Sequence, residues 1–311
     1  MKISVQSQNL VDDLGMENAY RAIREAGFEA IDWNIDHAWS FKEVSNATVF
    51  KDLSIFERPL DEILAYYEKE LACIRENGLS ITQAHAPFNA YCDQNPAMLD
   101  YAIEIYKNVI RFCEAVDCPR LVIHGISMSQ AASVDAYEAD YKALNLKLYE
   151  SLIPTLQEVN GVTVCLENLF GGAGNGRYRW GHCTDPDEAI ELIDHLNGKA
   201  GKVCFGLCLD TGHLNLMRVN PNIYINKLAH RIVCLHMHDN FAEIDRHFMP
   251  YTGNFRWQEF LVAMKRIGYK GDLNFETFAQ TAKSNLPTEL APVFLTAIHG
   301  IGEYFKGQLS D

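Results

Sequence analysis

The chain has 311 residues, 48% of them hydrophobic and 22% charged, the balance of an ordinary soluble globular protein with enough core for one barrel-sized domain. Its 27 Lys and Arg against 41 Asp and Glu leave a net charge of −14, which opposes DNA or an anionic membrane surface, because affinity for phosphate arrays comes from cations. The start lacks the apolar core of a signal peptide and no later run approaches the roughly 18 apolar residues of a membrane span, so a cytoplasmic protein is expected.

In chain order, Lys2 to Ser7 reads as a strand, followed by a helix from about Met16 to Ala26 that stops at Gly27. Ala30 to Asn34 is a second strand, and the weakly periodic, polar stretch from Asp36 to Arg58 reads as an elaborated loop. An amphipathic helix from Leu60 to Asn77 leads to a third strand ending at His85. The next pairs are a helix from Ala97 to Val116 with a strand from Leu121 to His124, and a helix from Tyr137 to Val159 with a strand ending at Glu167. Gly171 to Trp180 is a glycine-rich loop that matches neither the phosphate-loop nor the dinucleotide spacing; it reads as an active-site flap whose Arg177, Tyr178, Arg179 and Trp180 are candidates to contact a polar substrate, with a solvated loop of no role as the equal alternative. Asp185-Pro186 opens a helix, Val203 to Leu209 is a buried strand, and a helical segment from Asn220 to His230 precedes a strand from Arg231 to His236 or His238. A helix from Trp257 to Gly268, a strand from Asp272 to Glu276 and a closing helix from Leu286 to Phe305 complete eight strand-helix units. No linker-like tract divides them, so a single (β/α)8 TIM barrel over residues 1–311 is predicted.

Six of the predicted strands end on metal-capable residues: His85, His124, Glu167, Asp210, His236 and Glu276. The gaps are 39, 43, 43, 26 and 40 residues, close to one strand-helix unit each. A lone polar residue at a strand end is more often structural, but several carboxylates and histidines converging on one barrel mouth are costly unless a cation sits among them. Oxygen and imidazole donors without thiolates suit a divalent metal, manganese foremost, with magnesium, cobalt or zinc as alternatives. The nine cysteines include no Cys-x-x-Cys pair; Cys165 and Cys208 lie one layer below Glu167 and Asp210 and read as packing.

The series His85, His124, Glu167-Asn, Asp210-Thr-Gly-His213, His236-x-His-Asp239, Asp245-Arg-His247 and Glu276 resembles the xylose isomerase-like TIM-barrel superfamily, which includes sugar isomerases and epimerases and endonuclease IV. By its ketose 3-epimerase branch, the resemblance implies metal ligands Glu167, Asp210, His236 and Glu276, with the two glutamates as acid and base and His213 contacting substrate. By its endonuclease IV branch, it implies further ligand positions at His85, His124, His213, Asp245 and His247, up to three metals. Two departures qualify it. Position 242 is Ala where ketose 3-epimerases tend to carry arginine, and the Gly-Glu-Gly of endonuclease IV is missing after His247.

The resulting expectation is a divalent-metal-dependent isomerase or epimerase that moves a proton next to a carbonyl of a sugar, sugar derivative or cyclitol through an enediolate. The alternatives are a metal-dependent lyase or dehydratase on a related carbohydrate and an endonuclease IV-type hydrolase of abasic DNA. Substrate contacts are assigned to His85, His124, His213, Asp245, His247 and Trp33, with His37, Phe88 and Trp257 as further candidates to pack on a sugar ring, a core or rim role being the equal alternative for each, and His238 as the reserve for His236. The partner is a small carbohydrate, not nucleic acid or membrane, with a homo-oligomer possible.

Overall fold

The computed structural model describes residues 1–35, 47, 49–88, 95–126, 134–172, 178–282 and 286–310. His37, Arg177 and the glycines between residues 172 and 178, singled out above, lie outside the described residues, as does most of the predicted loop after Asp36. Eight parallel strands form the barrel: β1 (Ile3–Gln6), β2 (Ala30–Asn34), β3 (Ser80–His85), β4 (Arg120–Val122), β5 (Thr163–Glu167), β8 (Phe205–Asp210), β9 (Ile232–His236) and β10 (Leu273–Phe275). They pair in the order β10-β1-β2-β3-β4-β5-β8-β9. Met237 closes the ring: its N–H donates to Asn274 O (2.9 Å), its carbonyl accepts from Glu276 N (3.1 Å), and it bridges Phe275 in parallel. The fold is the predicted TIM barrel.

Helices pack outside the ring: α1 (Gln8–Leu14), α2 (Met16–Glu25), α3 (Leu60–Glu76), α4 (Pro96–Ala115), α5 (Val134–Glu150), α6 (Ile153–Glu158), α7 (Pro186–Ala200), α8 (Thr211–Leu216), α9 (Pro221–Leu228), α10 (Trp257–Arg266) and α11 (Ala291–Ser310). Several starts follow from their caps. Asp185 accepts from Asp187 N (2.9 Å) and Asn220 from Ile223 N (3.1 Å), each with proline next in the chain. The helix expected from Tyr137 to Val159 is two, because Pro154 lacks the N–H that continuation would need. Val203 is not in the sheet: it is 82% exposed in the turn before β8. The glycine-rich loop is bounded by an antiparallel pair, β6 (Phe170–Gly172) and β7 (Tyr178–Trp180). No helix of the described residues is long and apolar enough to cross a membrane.

The main apolar core fills the space between ring and helices, as βα units require. Inside the ring, Val122, Cys165, Cys208 and Cys234 pack as a separate apolar group. Burial pushes all three thiols up, so they stay protonated packing groups rather than ligands. A polar group also occupies the interior: Ser4 Oγ donates to Asn274 Oδ1 (2.9 Å), while the Asn274 and Gln83 amides donate to Asp32 Oδ2 at 2.8 and 2.9 Å.

Candidate metal and substrate site

The carboxyl ends of β5 and β8 are tied by Asn168. Its amide donates to Asp210 O (2.9 Å) and its side-chain oxygen accepts from Asp210 N (2.8 Å), which explains asparagine after Glu167. Asp210 then caps α8, accepting from His213 N (2.6 Å). Thr211 Oγ1 bonds both the carbonyl and the N–H of His238 (2.7 and 3.0 Å), fixing β8 against the segment after β9. Gly212 is needed because a Cβ there would overlap the His238 ring. Asp210-Thr-Gly-His213 is therefore a device that fixes Asp210 beneath the mouth and turns His213 into it.

Glu167 is the hub. His124 Nε2 lies 2.9 Å from Glu167 Oε2, and His236 Nδ1 and His213 Nδ1 lie 3.3 and 3.4 Å from Oε1. The same His236 Nδ1 is 3.6 Å from Glu276 Oε2. His85 Nε2 and His124 Nε2 are 3.0 Å apart, and one ring nitrogen cannot both accept from His85 and donate to Glu167. A cation among the three would satisfy every contact. A further group gathers on Asp245, whose Oδ2 is 3.0 Å from His247 Nε2 and 3.3 Å from His213 Nε2, with His238 Nδ1 3.8 Å from Oδ1.

Donor atoms of four overlapping sets lie within 4.8 Å of one another: Glu167–Asp210–His236, His85–His124–Glu167, Asp210–His213–His238 and His238–Asp245–His247. Three of the four predicted ligands thus share one set, and Glu276 flanks it through His236. The buried atoms His236 Nδ1, His238 Nδ1 and Asp245 Oδ1 lack aligned hydrogen-bond partners, a deficit that a divalent cation on these donors would remove. The donor chemistry fits such an ion.

Charge in the site is strongly coupled. Burial raises the Glu167 carboxyl, but His236 and His124 outweigh it and hold the group well below its ordinary value. Asp210 is likewise raised by burial and brought below normal by His213 and His238. Glu276 goes the other way: burial dominates over His236 and His247 and raises it. Burial lowers His247, but Asp245 and Glu276 overcome it and push the imidazole up to about 9.

Above these groups opens a cavity of about 500 Å³, in the range of small-molecule sites. His85, His124, Glu167, His213, Asp245, His247 and Glu276 all line it, as does Phe88. His236 and Asp210 lie beneath, fully buried. One expectation needs correction. Trp33 does not reach the cavity: strand alternation turns Asp32 and Asn34 inward and Trp33 outward, where it packs on Tyr67 and Phe112 and donates Nε1–H to Glu70 (3.2 Å). Trp257 is also structural, donating to Asp239 Oδ2 (2.8 Å). The sequence reading missed Asp32, whose Oδ2 lies 3.2 Å from His236 Nε2, and the amides Gln6, Gln8, Asn9 and Asn34, which line one wall. It missed Phe170 and Phe278 on the cavity lining as well.

Residues 20–296 match the family described as "Xylose isomerase-like TIM barrel", and the chain belongs to it. Among individual proteins, it is 23% identical to the uncharacterized protein y4fM of Sinorhizobium fredii over 85% of this chain and 82% of that one. It is 24% identical to the D-psicose 3-epimerase of Enterocloster bolteae, a match spanning 66% of this chain and 64% of the epimerase. A crystal structure of a D-tagatose 3-epimerase-like protein superposes with a TM-score of 0.70 at 20% identity, covering 99% of this chain and 98% of that one.

Proposed function

We propose that this protein is a divalent-metal-dependent isomerase or epimerase of a sugar or sugar derivative, moving a proton at the carbon beside a carbonyl. The observation that carries the reading is the pair Glu167 and Glu276, 3.3 and 3.6 Å from the same nitrogen of His236 at the floor of a cavity lined with hydrogen-bonding side chains. Glu167, Asp210, His236 and Glu276 would hold the ion, manganese foremost. When bound, the ion polarises the carbonyl and neighbouring hydroxyl and so lowers the α-proton's pKa. One glutamate takes that proton, and the other, protonated from solvent, delivers a proton to the sugar enediolate. His213, His247 and Asp245 face the cavity and orient hydroxyls, while the amides of Gln6, Gln8, Asn9 and Asn34 offer both donors and acceptors to a polyol.

Return to the opposite face gives an epimerase, return to the adjacent carbon an isomerase, and expulsion of a β-substituent a lyase. A phosphodiesterase reading draws on the additional His and Asp sets, but the described cavity lining contains no Lys or Arg to hold a nucleic-acid backbone. The test is incubation of the metal-loaded protein with ketoses, their phosphates, inosose and C-glycosides in D₂O, following deuterium beside the carbonyl by NMR. Exchange that drops by roughly 10²-fold or more in Glu167→Gln and in Glu276→Gln is expected. Turnover without incorporation would overturn proton transfer, and exchange surviving both changes would overturn the two glutamates.

A further inference from the structure

A second cavity, of about 460 Å³, is lined by Tyr178, Trp180, Leu216, Met217, Arg218, Ala242 and Glu243, and nothing in the proposed proton transfer uses it. Three segments each serve both cavities. The β6–β7 pair gives Phe170 to the first and Tyr178 and Trp180 to the second, with Phe170 and Tyr178 in edge contact at 5.1 Å. Helix α8 gives His213 to the first and, at its carboxyl end, Leu216 and then Met217 and Arg218 to the second. The segment after β9 gives Asp245 and His247 to the first and Ala242 and Glu243 to the second. The two spaces thus adjoin across Phe170, Tyr178 and His213, the last a group at the metal-ligand cluster.

The lining has the chemistry of a carbohydrate subsite. Trp180 is 55% exposed, an amphipathic ring system whose flat face is free to cover the apolar face of a pyranose. Arg218 offers only donors and Glu243 only acceptors, both are exposed, and among the described residues neither side chain has an ion-pair or hydrogen-bond partner. Their charges cancel, which favours a neutral ligand bearing hydroxyls that donate and accept at once. We infer that this cavity is a second sugar subsite, so that the substrate is a glycoside or disaccharide whose reacting ring sits over Glu167 and Glu276 while an uncharged second pyranose rests on Trp180.

This inference rests on the proposed sugar chemistry of the first cavity, and the experiment separates the two. Isothermal titration of the metal-loaded protein compares D-fructose, D-psicose and D-glucose with the glucosyl-fructoses turanose, maltulose and palatinose; the deuterium-exchange assay runs in parallel on the same sugars. At least one disaccharide is expected to bind roughly tenfold or more tighter than any of the single sugars, the scale of one added aromatic contact. Trp180→Ala should erase that difference and leave monosaccharide binding within about twofold, while Trp180→Phe should keep most of it. Monosaccharide exchange with no gain from the second ring overturns the subsite and leaves the proposed function standing. Equal losses for one-ring and two-ring sugars in Trp180→Ala also overturn it. If no sugar binds or exchanges, both readings fall together.

Discussion

Asp32 Oδ2 lies 3.2 Å from His236 Nε2, beneath the metal-capable face of that ring and sealed from solvent. The contact is close but not aligned on the N–H axis, since His236 Nε2 has no hydrogen-bond partner of good geometry. Gln83 and Asn274 hold the carboxylate in place by donating to the same oxygen. A small rotation of the imidazole would complete a carboxylate–histidine pair with Nδ1 left toward Glu167 and Glu276. Asp32→Asn keeps the size and removes the charge. Metal affinity, measured by competition with a chromogenic chelator, should fall by roughly 10–100-fold with the fold retained by circular dichroism. Unchanged affinity would reduce Asp32 to packing.

Asp210→Asn tests the ligand set without dismantling the helix, because asparagine caps α8 as well as aspartate does. The His213 N–H would still be satisfied, so a change in metal content reports the lost negative charge. Mass spectrometry of metals on the purified variant should give sub-stoichiometric occupancy, and activity should fall in parallel. Full occupancy would remove Asp210 from the set.

The contrast between Asp210 and Asp32 marks what the sequence makes legible. Asp210 is the first charge after an apolar run and stands beside turn residues, so both its strand-end position and its role are visible in one dimension. Asp32 sits between Ile31 and Trp33 in a strand whose two faces are both buried, one by helices and one by the barrel interior. Such a strand has no polar-out alternation to orient it, and the aromatic ring drew the assignment to the wrong face. Helix α1 escaped notice because Gln8–Leu14 is short and buries only Leu10. The recurrence of strand ends every 39 to 43 residues gave the ring, with the shorter 26-residue gap after Asp210 filled by α8 and α9. Which histidines share which carboxylate depends on side-chain directions across the mouth, and no spacing encodes that.

Metal stoichiometry discriminates between chemistries. Titration of the metal-free protein with Mn²⁺ or Zn²⁺ should show one tight ion per chain at Glu167, Asp210, His236 and Glu276. The His85–His124 and Asp245 sets borrow Glu167, Asp210 and neighbouring histidines from it, so further cations within one donor cluster repel the first and bind more weakly. Two or three equally tight ions would overturn the single-ion expectation and strengthen the hydrolytic alternative.

The last prediction concerns pH and metal together. His247 is pushed up to about 9, and His236 is also raised well above its ordinary value, because Glu276, Glu167 and Asp245 around them outweigh the effect of burial. A group whose folded-state pKa is raised contributes stability that is complete below its unfolded value, about 6.5 for histidine, and is lost as pH rises through the folded value. The metal-free protein should therefore show a melting temperature that falls as pH goes from about 6.5 to 9, where losing the imidazolium protons leaves the carboxylates uncompensated. A divalent ion on Glu167, Asp210, His236 and Glu276 needs the His236 imidazole neutral, and its charge disfavours the nearby His247 imidazolium, so the loaded protein should lose this decline and gain metal affinity over the same interval. Differential scanning fluorimetry of both forms across that range, with Asp32→Asn as a partner variant, reads the linkage directly. A metal-free protein whose melting temperature stays flat or rises toward pH 9 would show that these histidines are not the cations that balance the site.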